Sequence, residues 1–284
     1  MRIESMNNTK LGLSSYSYPY AVGYPGFEPE KPLDAFGLVD KTAALGLHVL
    51  QIADNCPLDK LSPVELADLA AYAGHRSVKL EVGTRGIETE HLSSYIGIAQ
   101  TLGAKILRVV IDTAWHQPEF DEIVHLISLV LPQLADSKII LGIENHDRFK
   151  AHVFADIVEA SGSPYVGVAL DTVNSFACEE NTSQVMDVLA KHTVNFHVKD
   201  FKIDRVKNSM GLLVTGTPAG QGFLDIPQMV DRLRKEARGD FSSILELWME
   251  PEANPAETLQ KEDRWVEESV AYLKQVLECP GSNI

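Results

Sequence analysis

Four apolar runs in the second half of the chain each carry one residue that could hold a metal. Glu144 stands near the end of KIILGIEN and Asp171 closes VGVALD, while His197 lies in VNFHVKD and Glu246 in SSILELW. A carboxylate embedded in an apolar run is costly unless it is paired, and otherwise it takes up a proton. Three carboxylates drawn to one place would repel each other unless a cation sat among them. Two Glu, one Asp and one His offer hard oxygen donors and a single imidazole. That set suits one divalent ion, Mn2+ foremost, with Mg2+, Co2+ or Zn2+ also admitted. Each residue alone has a plainer reading as a satisfied strand-end polar group, so the case rests on all four standing in consecutive units.

Further polar residues flank these runs. Lys199 follows His197 by two and shares its side of the strand, where it would protonate an anion or steady an anionic substrate, or else pair with Asp200 or Glu246. His146 follows Glu144 by two and reads as an acid or base, or as a group orienting a ligand. Arg85, after LEVGT, would grip a carboxylate or phosphate through paired hydrogen bonds, or be taken up by Glu81 or Asp112. Gln51, Asp54 and Asn55 suit sugar hydroxyls, although the Asp-Asn pair is also ordinary turn chemistry. Tyr16, Tyr18 and Trp248 read as pocket walls or as plain packing.

The elements that must position these residues recur eight times. Strand-like runs start at Leu11, His48, Val78, Ile106, Lys138, Val166, Val194 and Ser242. Each is followed by an amphipathic stretch, the last spanning about 256–277, and Ser62-Pro63 reads as a cap followed by a first-turn proline. The runs are almost wholly apolar rather than alternating, as expected of strands covered on both faces. The first strand-to-helix junction, SSYSYPYAVGYPG, has no G-x-G-x-x-G, which disfavours a doubly wound dinucleotide fold. The expectation is α/β, a (β/α)8 TIM barrel, with residues 1–284 forming one domain. In such a barrel the active site lies at the C-terminal ends of the strands, where the four candidate ligands fall.

Composition removes several classes. A formal charge of −15 argues against a nucleic-acid partner, which needs a basic field. A local cation can still receive an anionic small substrate. The opening MRIESMNNTK lacks the apolar run of a signal peptide, and no stretch approaches the roughly 18 to 20 apolar residues of a membrane span. Cys56, Cys178 and Cys279 form no C-x-x-C and read as reduced thiols. The expectation is a cytoplasmic protein with neither membrane nor nucleic-acid partner, compatible with a homo-oligomer.

Taken together, GIEN, ALDTVN, FHVKD and LELW resemble the ligand motifs of the xylose-isomerase-like barrel superfamily, and TGTPAGQGFLDIP (Thr215 to Pro227) resembles its Gly-x-Gly loop. The resemblance spans nearly the whole chain and implies Glu144, Asp171, His197 and Glu246 as metal ligands. It leaves the reaction open, because the superfamily holds isomerases, epimerases, dehydratases, lyases and DNA-repair enzymes. Ketose 3-epimerases work with two opposed Glu, here Glu144 and Glu246. They also carry a Glu six residues after the first and a His three after the Asp, where this chain has Lys150 and Asn174. Asn174 is read as a substrate contact. More narrowly, QIADNCPL and LEVGTRGIE resemble 3-oxo-isoapionate decarboxylases.

The expected substrate is therefore a small polyhydroxy carbonyl compound passing through an enediolate, with Glu144, Glu246 or Lys199 moving the proton. The absent accessory carboxylate and the Arg85/Lys199 pair favour a decarboxylase acting on a keto sugar acid. A sugar isomerase or ketose 3-epimerase is the first alternative. From another class, a non-catalytic sugar-binding barrel would have no need of a complete ligand set.

Overall fold

A computed structural model of the 284-residue protein describes residues 8–207 and 210–278. Cys279 and most of the opening segment lie outside the described residues, so the readings made there have no structural counterpart.

Eight parallel strands close into a barrel: β1 (Thr9–Ser14), β2 (Val49–Ile52), β3 (Lys79–Arg85), β4 (Ile106–Val110), β5 (Ile140–Glu144), β6 (Val166–Asp171), β7 (Thr193–Val198) and β10 (Phe241–Leu245). Neighbours follow chain order, and β10 closes the ring between β7 and β1. Six of the strands start within one residue of the expected run and β1 and β5 within two, because buried Val, Ile and Leu leave little freedom to slide. Every residue of β4 is buried, as two covered faces require.

The helices form the outer layer: α1 (Pro19–Val22), α2 (Ala35–Ala44), α3 (Pro63–His75), α4 (Thr89–Thr101), α5 (Phe120–Ser137), α6 (Ala151–Ser161), α7 (Thr182–Leu189), α8 (Ile226–Glu236) and α9 (Pro255–Glu278). Their apolar residues recur at helical spacing, as in Ile123, Ile127, Val130 and Leu134 of α5, which turn one stripe onto the strands. Ser62 does cap α3, in a reciprocal box with Glu65, and Pro63 opens its first turn. Gly162 ends α6 in the left-handed conformation, at φ 57°, which a side chain would resist.

One element has no counterpart in the eight-unit reading. Between β7 and α8 the chain makes an antiparallel hairpin, β8 (Phe201–Arg205) with β9 (Leu212–Gly216), which joins no other strand among the described residues. Its base is tied to the barrel mouth, since a Cβ on Gly216 would collide with Trp248. The Gly-x-Gly segment follows, and Asp200 holds it. The Asp200 carboxylate accepts from the backbone N–H of Phe201 at 2.9 Å, Gly220 at 2.9 Å, Gly222 at 2.9 Å and Leu224 at 3.2 Å.

Candidate metal centre

Strand register sets the four candidate ligands at one level. His197 lies opposite Asp171 across the β6–β7 pair and opposite Ile244 across the β10–β7 pair. Glu246 stands two residues after Ile244 and so faces the same side. Glu144 ends β5, next to β6. All four are fully buried or nearly so. Ligand atoms from Glu144, Asp171 and His197 lie within 4.8 Å of one another. Glu246 joins them through its Oε1, 3.5 Å from His197 Nδ1, which also lies 3.2 Å from Glu144 Oε2.

Neither ring nitrogen of His197 is hydrogen-bonded, nor is Glu246 Oε1. Buried polar atoms without partners are rare because each one forfeits its hydration. Orphans converging from separate strands fit a divalent cation, which Glu144, Asp171, His197 and Glu246 could hold.

The surroundings aim these ligands. Asp171 Oδ1 accepts from the N–H of Val173 at 2.8 Å and of Asn174 at 2.9 Å, which turns Oδ2 toward the cluster. Asn145 grips the Asp171 backbone, donating to its carbonyl at 3.0 Å and accepting from its N–H at 2.8 Å. Both oxygens of Glu144 are occupied: Oε1 accepts from Asn174 Nδ2 at 2.8 Å, and Oε2 accepts from Arg108 Nε. Such supporting bonds fix ligand orientation and charge.

Arg108 was not anticipated. It lies buried on β4 and ties Glu144 to Asp54 Oδ1, 2.8 Å from its Nη1. A lone Arg in the apolar run ILRVV was a signal. So were the glycines that flank it in register, Gly83 on β3 and Gly142 on β5, which leave room for a guanidinium. Asp54 is likewise more than a turn residue. Arg108, Arg85 at 3.4 Å and the Tyr16 hydroxyl at 3.2 Å all converge on it.

Charges within the centre follow from these pairs. Burial alone would push the Glu144 carboxyl up, but Arg108 and then His197 outweigh it and hold it well below the usual range. Glu246 is held down in the same way, against burial, by Lys199 and His197. Burial pulls the Lys199 ammonium down, yet Asp171 and Glu246 raise it on balance.

A cavity of about 200 Å³ opens above the centre, lined by Tyr16, Arg85, Arg108, Glu144, His146, Lys199, Glu246, Leu247 and Trp248. The structure thus brings Arg85, His146 and Lys199 to the mouth. Lys199 pairs with Glu246 at 2.8 Å and Asp171 at 2.9 Å, while Asp200 is spent on backbone N–H groups. Arg85 is paired with Asp54 and the Asp112 carbonyl rather than with Glu81. Asn174 supports Glu144 from the side. Gln51 falls elsewhere. It is fully buried one layer deeper in the barrel, where its amide nitrogen donates to Glu81 Oε2 and Asn195 Oδ1, each at 3.1 Å. Sugar contact by Gln51 therefore finds no opening in this structure, because β2 turns the side chain inward below the mouth. Tyr18 is buried away from the mouth, as packing.

The profile of the xylose isomerase-like TIM barrel family matches residues 23–276. The chain belongs to this family. Among its relatives, 3-oxo-isoapionate decarboxylase of Pectobacterium atrosepticum is 33% identical over 263 residues, covering 93% of this chain and 94% of the relative. Among solved structures of xylose isomerase-like fold, D-psicose 3-epimerase, crystallised in the presence of D-fructose, superposes with a TM-score of 0.70 at 16% identity. That match covers 95% of this chain and all of the epimerase. The IOLI protein with a bound zinc atom superposes at 0.69 and 16% identity, covering 96% of this chain and 100% of its own. Within the described residues no helix is long and apolar enough to cross a membrane.

Proposed function

We propose that the protein is a divalent-metal-dependent decarboxylase acting on a small keto sugar acid of the 3-oxo-isoapionate kind. The observation that carries this reading is the asymmetry of the two glutamates. Epimerisation asks two opposed carboxylates to exchange protons with the substrate in turn. Here Glu144 is engaged on both oxygens by Arg108 and Asn174, whereas Glu246 Oε1 is free of hydrogen bonds. Proton traffic is thereby confined to the Glu246 and Lys199 side. The 33% identity with a decarboxylase over nearly the full length of both chains supports the same reading.

Glu144, Asp171, His197 and Glu246 would hold the ion, for which their donor chemistry suits Mn2+. When bound, it supplies a Lewis acid that stabilises negative charge developing on the substrate oxygens. Arg85, at the rim, orients the substrate carboxylate through its guanidinium. The bond from that carboxylate to the neighbouring carbon breaks, CO2 leaves, and the electron pair passes into an enediolate. Lys199, kept as an ammonium by Asp171 and Glu246, delivers the proton to the carbanionic carbon, and Glu246 steers that transfer. Tyr16, Trp248 and Leu247 wall the cavity against water. The acidic surface suits a small-molecule enzyme without a nucleic-acid partner.

A second reading, a sugar isomerase or ketose 3-epimerase, draws on the presence of both glutamates at the mouth. The deciding experiment is elemental analysis of purified protein before and after chelation, followed by Mn2+ addition with keto sugars and keto sugar acids. About one ion per chain and metal-dependent CO2 release support the decarboxylase. Conversion without CO2 returns the reading to isomerase or epimerase. A protein that takes up no ion loses the metal centre altogether. Glu246→Gln should abolish turnover with the fold intact, and retained activity would remove Glu246 from the mechanism.

A further inference from the structure

Of the eleven large hydrophobic residues exposed on the described surface, seven fall within 203–223: Ile203, Val206, Met210, Leu212, Leu213, Val214 and Phe223. They gather on the β8–β9 hairpin and the segment after it. An isolated two-stranded sheet is marginal in water, and here no third strand joins it among the described residues.

The apolar residues are sorted by face. Cross-strand partners share a face, so Phe201, Ile203, Arg205, Val214 and Leu212 lie on one side, and Lys202, Asp204, Leu213 and Thr215 on the other. The first side forms a stripe that runs on beyond the hairpin. Phe223, two-thirds exposed, stacks on Phe201 with ring centroids 5.9 Å apart, and Phe176 meets Phe201 edge-on at 4.8 Å. These three rings line a groove of about 260 Å³ with Met186 and Met229, and Asp225 stands at its rim.

Charge marks the two ends differently in a chain whose formal charge is −15. On the stripe side the hairpin carries Arg205, with Lys207 following β8, while Lys202 and Asp204 pair at 3.9 Å on the opposite face. Around the groove, Asp187 and Glu236 share the single cation Arg232, and Asp225 adds a third carboxylate. A stripe that is apolar in the middle, basic at one end and acidic at the other is complementary to itself. A two-fold axis across its middle sets each basic end on the acidic end of the other copy.

We propose that this stripe is the interface of a homodimer, in which the Ile203/Val214 faces of two hairpins meet and each Arg205 approaches the Asp225 rim of the other chain. The hairpin base packs on Trp248, which walls the cavity, so dimer formation also steadies the mouth. The occupant is a second copy rather than a different protein because the charge pattern reverses along one continuous stripe.

Sedimentation velocity across a dilution series of the full chain tests this. The wild type should sediment as a dimer that dissociates on dilution. Ile203→Asp with Val214→Asp should give a monomer with an unchanged circular dichroism spectrum, since both residues are exposed. Leu213→Asp, on the opposite face, should leave the dimer intact. Should the double variant misfold, Arg205→Glu serves in its place and should weaken the dimer about tenfold. A wild type that is monomeric at every concentration overturns the proposal and leaves the stripe to another partner. A dimer that persists in the double variant, or is unaffected by Arg205→Glu, overturns it as well.

Discussion

Lys199 Nζ lies 2.8 Å from Glu246 Oε2 and bridges to Asp171 Oδ2 at 2.9 Å, so one ammonium joins the ends of β6 and β10 inside the barrel mouth. It neutralises part of the charge that a metal would otherwise balance alone. On the proposed function, the same residue would serve stability without the ion and proton transfer with it.

Lys199→Met tests both roles. Removing the cation from two buried carboxylates should cost about 3 kcal/mol in chelated protein, read from urea unfolding. Added Mn2+ should recover part of that loss, and turnover should stay down by about a hundredfold. Equal stability with and without Lys199 would show that the bridge carries no net energy.

Arg108 joins Glu144 to Asp54 from a buried position on β4. Arg108→Met leaves Glu144 buried without its guanidinium and should destabilise by about 3–5 kcal/mol. Arg108→Lys should rescue only part, because a point ammonium cannot serve both carboxylates through a planar fork. Thermal melts and turnover of the two variants check this, and full rescue by Lys would reduce Arg108 to a generic counter-charge.

Asp200 accepts from four backbone N–H groups, that of Phe201 and three in the segment leading into α8, Gly220, Gly222 and Leu224. Asp200→Ala should cost about 3 kcal/mol and speed hydrogen exchange at Gly220, Gly222 and Leu224. Unchanged exchange at those amides would mean that the loop is held by packing.

Glu262 on α9 supplies a pH dependence remote from the centre. Burial pushes its carboxyl up to about 7 from 4.5, although the N–H groups of Tyr20 at 2.7 Å and Ala21 at 3.0 Å oppose the shift. A raised folded-state value means the native protein binds the extra proton. That contribution is complete below about pH 4.5 and is lost as pH rises through about 7. Urea unfolding between pH 5 and 8 should show the wild type losing up to about 3 kcal/mol relative to Glu262→Gln, less to the extent that the two N–H groups hold the carboxylate. A difference that is flat with pH, or that grows in the other direction, would refute the shift.

Much of this was legible in residue order. Eight apolar runs separated by amphipathic stretches point to a helix-covered parallel sheet, and eight such units without a Gly-rich first turn favour its closure into a barrel. An ionisable residue inside such a run has few places to go, which is why Glu144, Asp171, His197 and Glu246 stand out in the sequence. What the sequence left open depends on where strands lie relative to one another. Gln51 and Glu246 look alike as polar groups in apolar strands, yet register sends Gln51 to Asn195 in a deeper layer and raises Glu246 to the mouth. Arg108 could be noticed as a lone cation, but only the approach of β2 and β5 shows that it spans Asp54 and Glu144. The hairpin was likewise hidden in the sequence, since its strands are short and, among the described residues, join no other strand. Local pattern follows burial, which each residue reports by its own type. Partnership follows three-dimensional register, which no single stretch of chain contains.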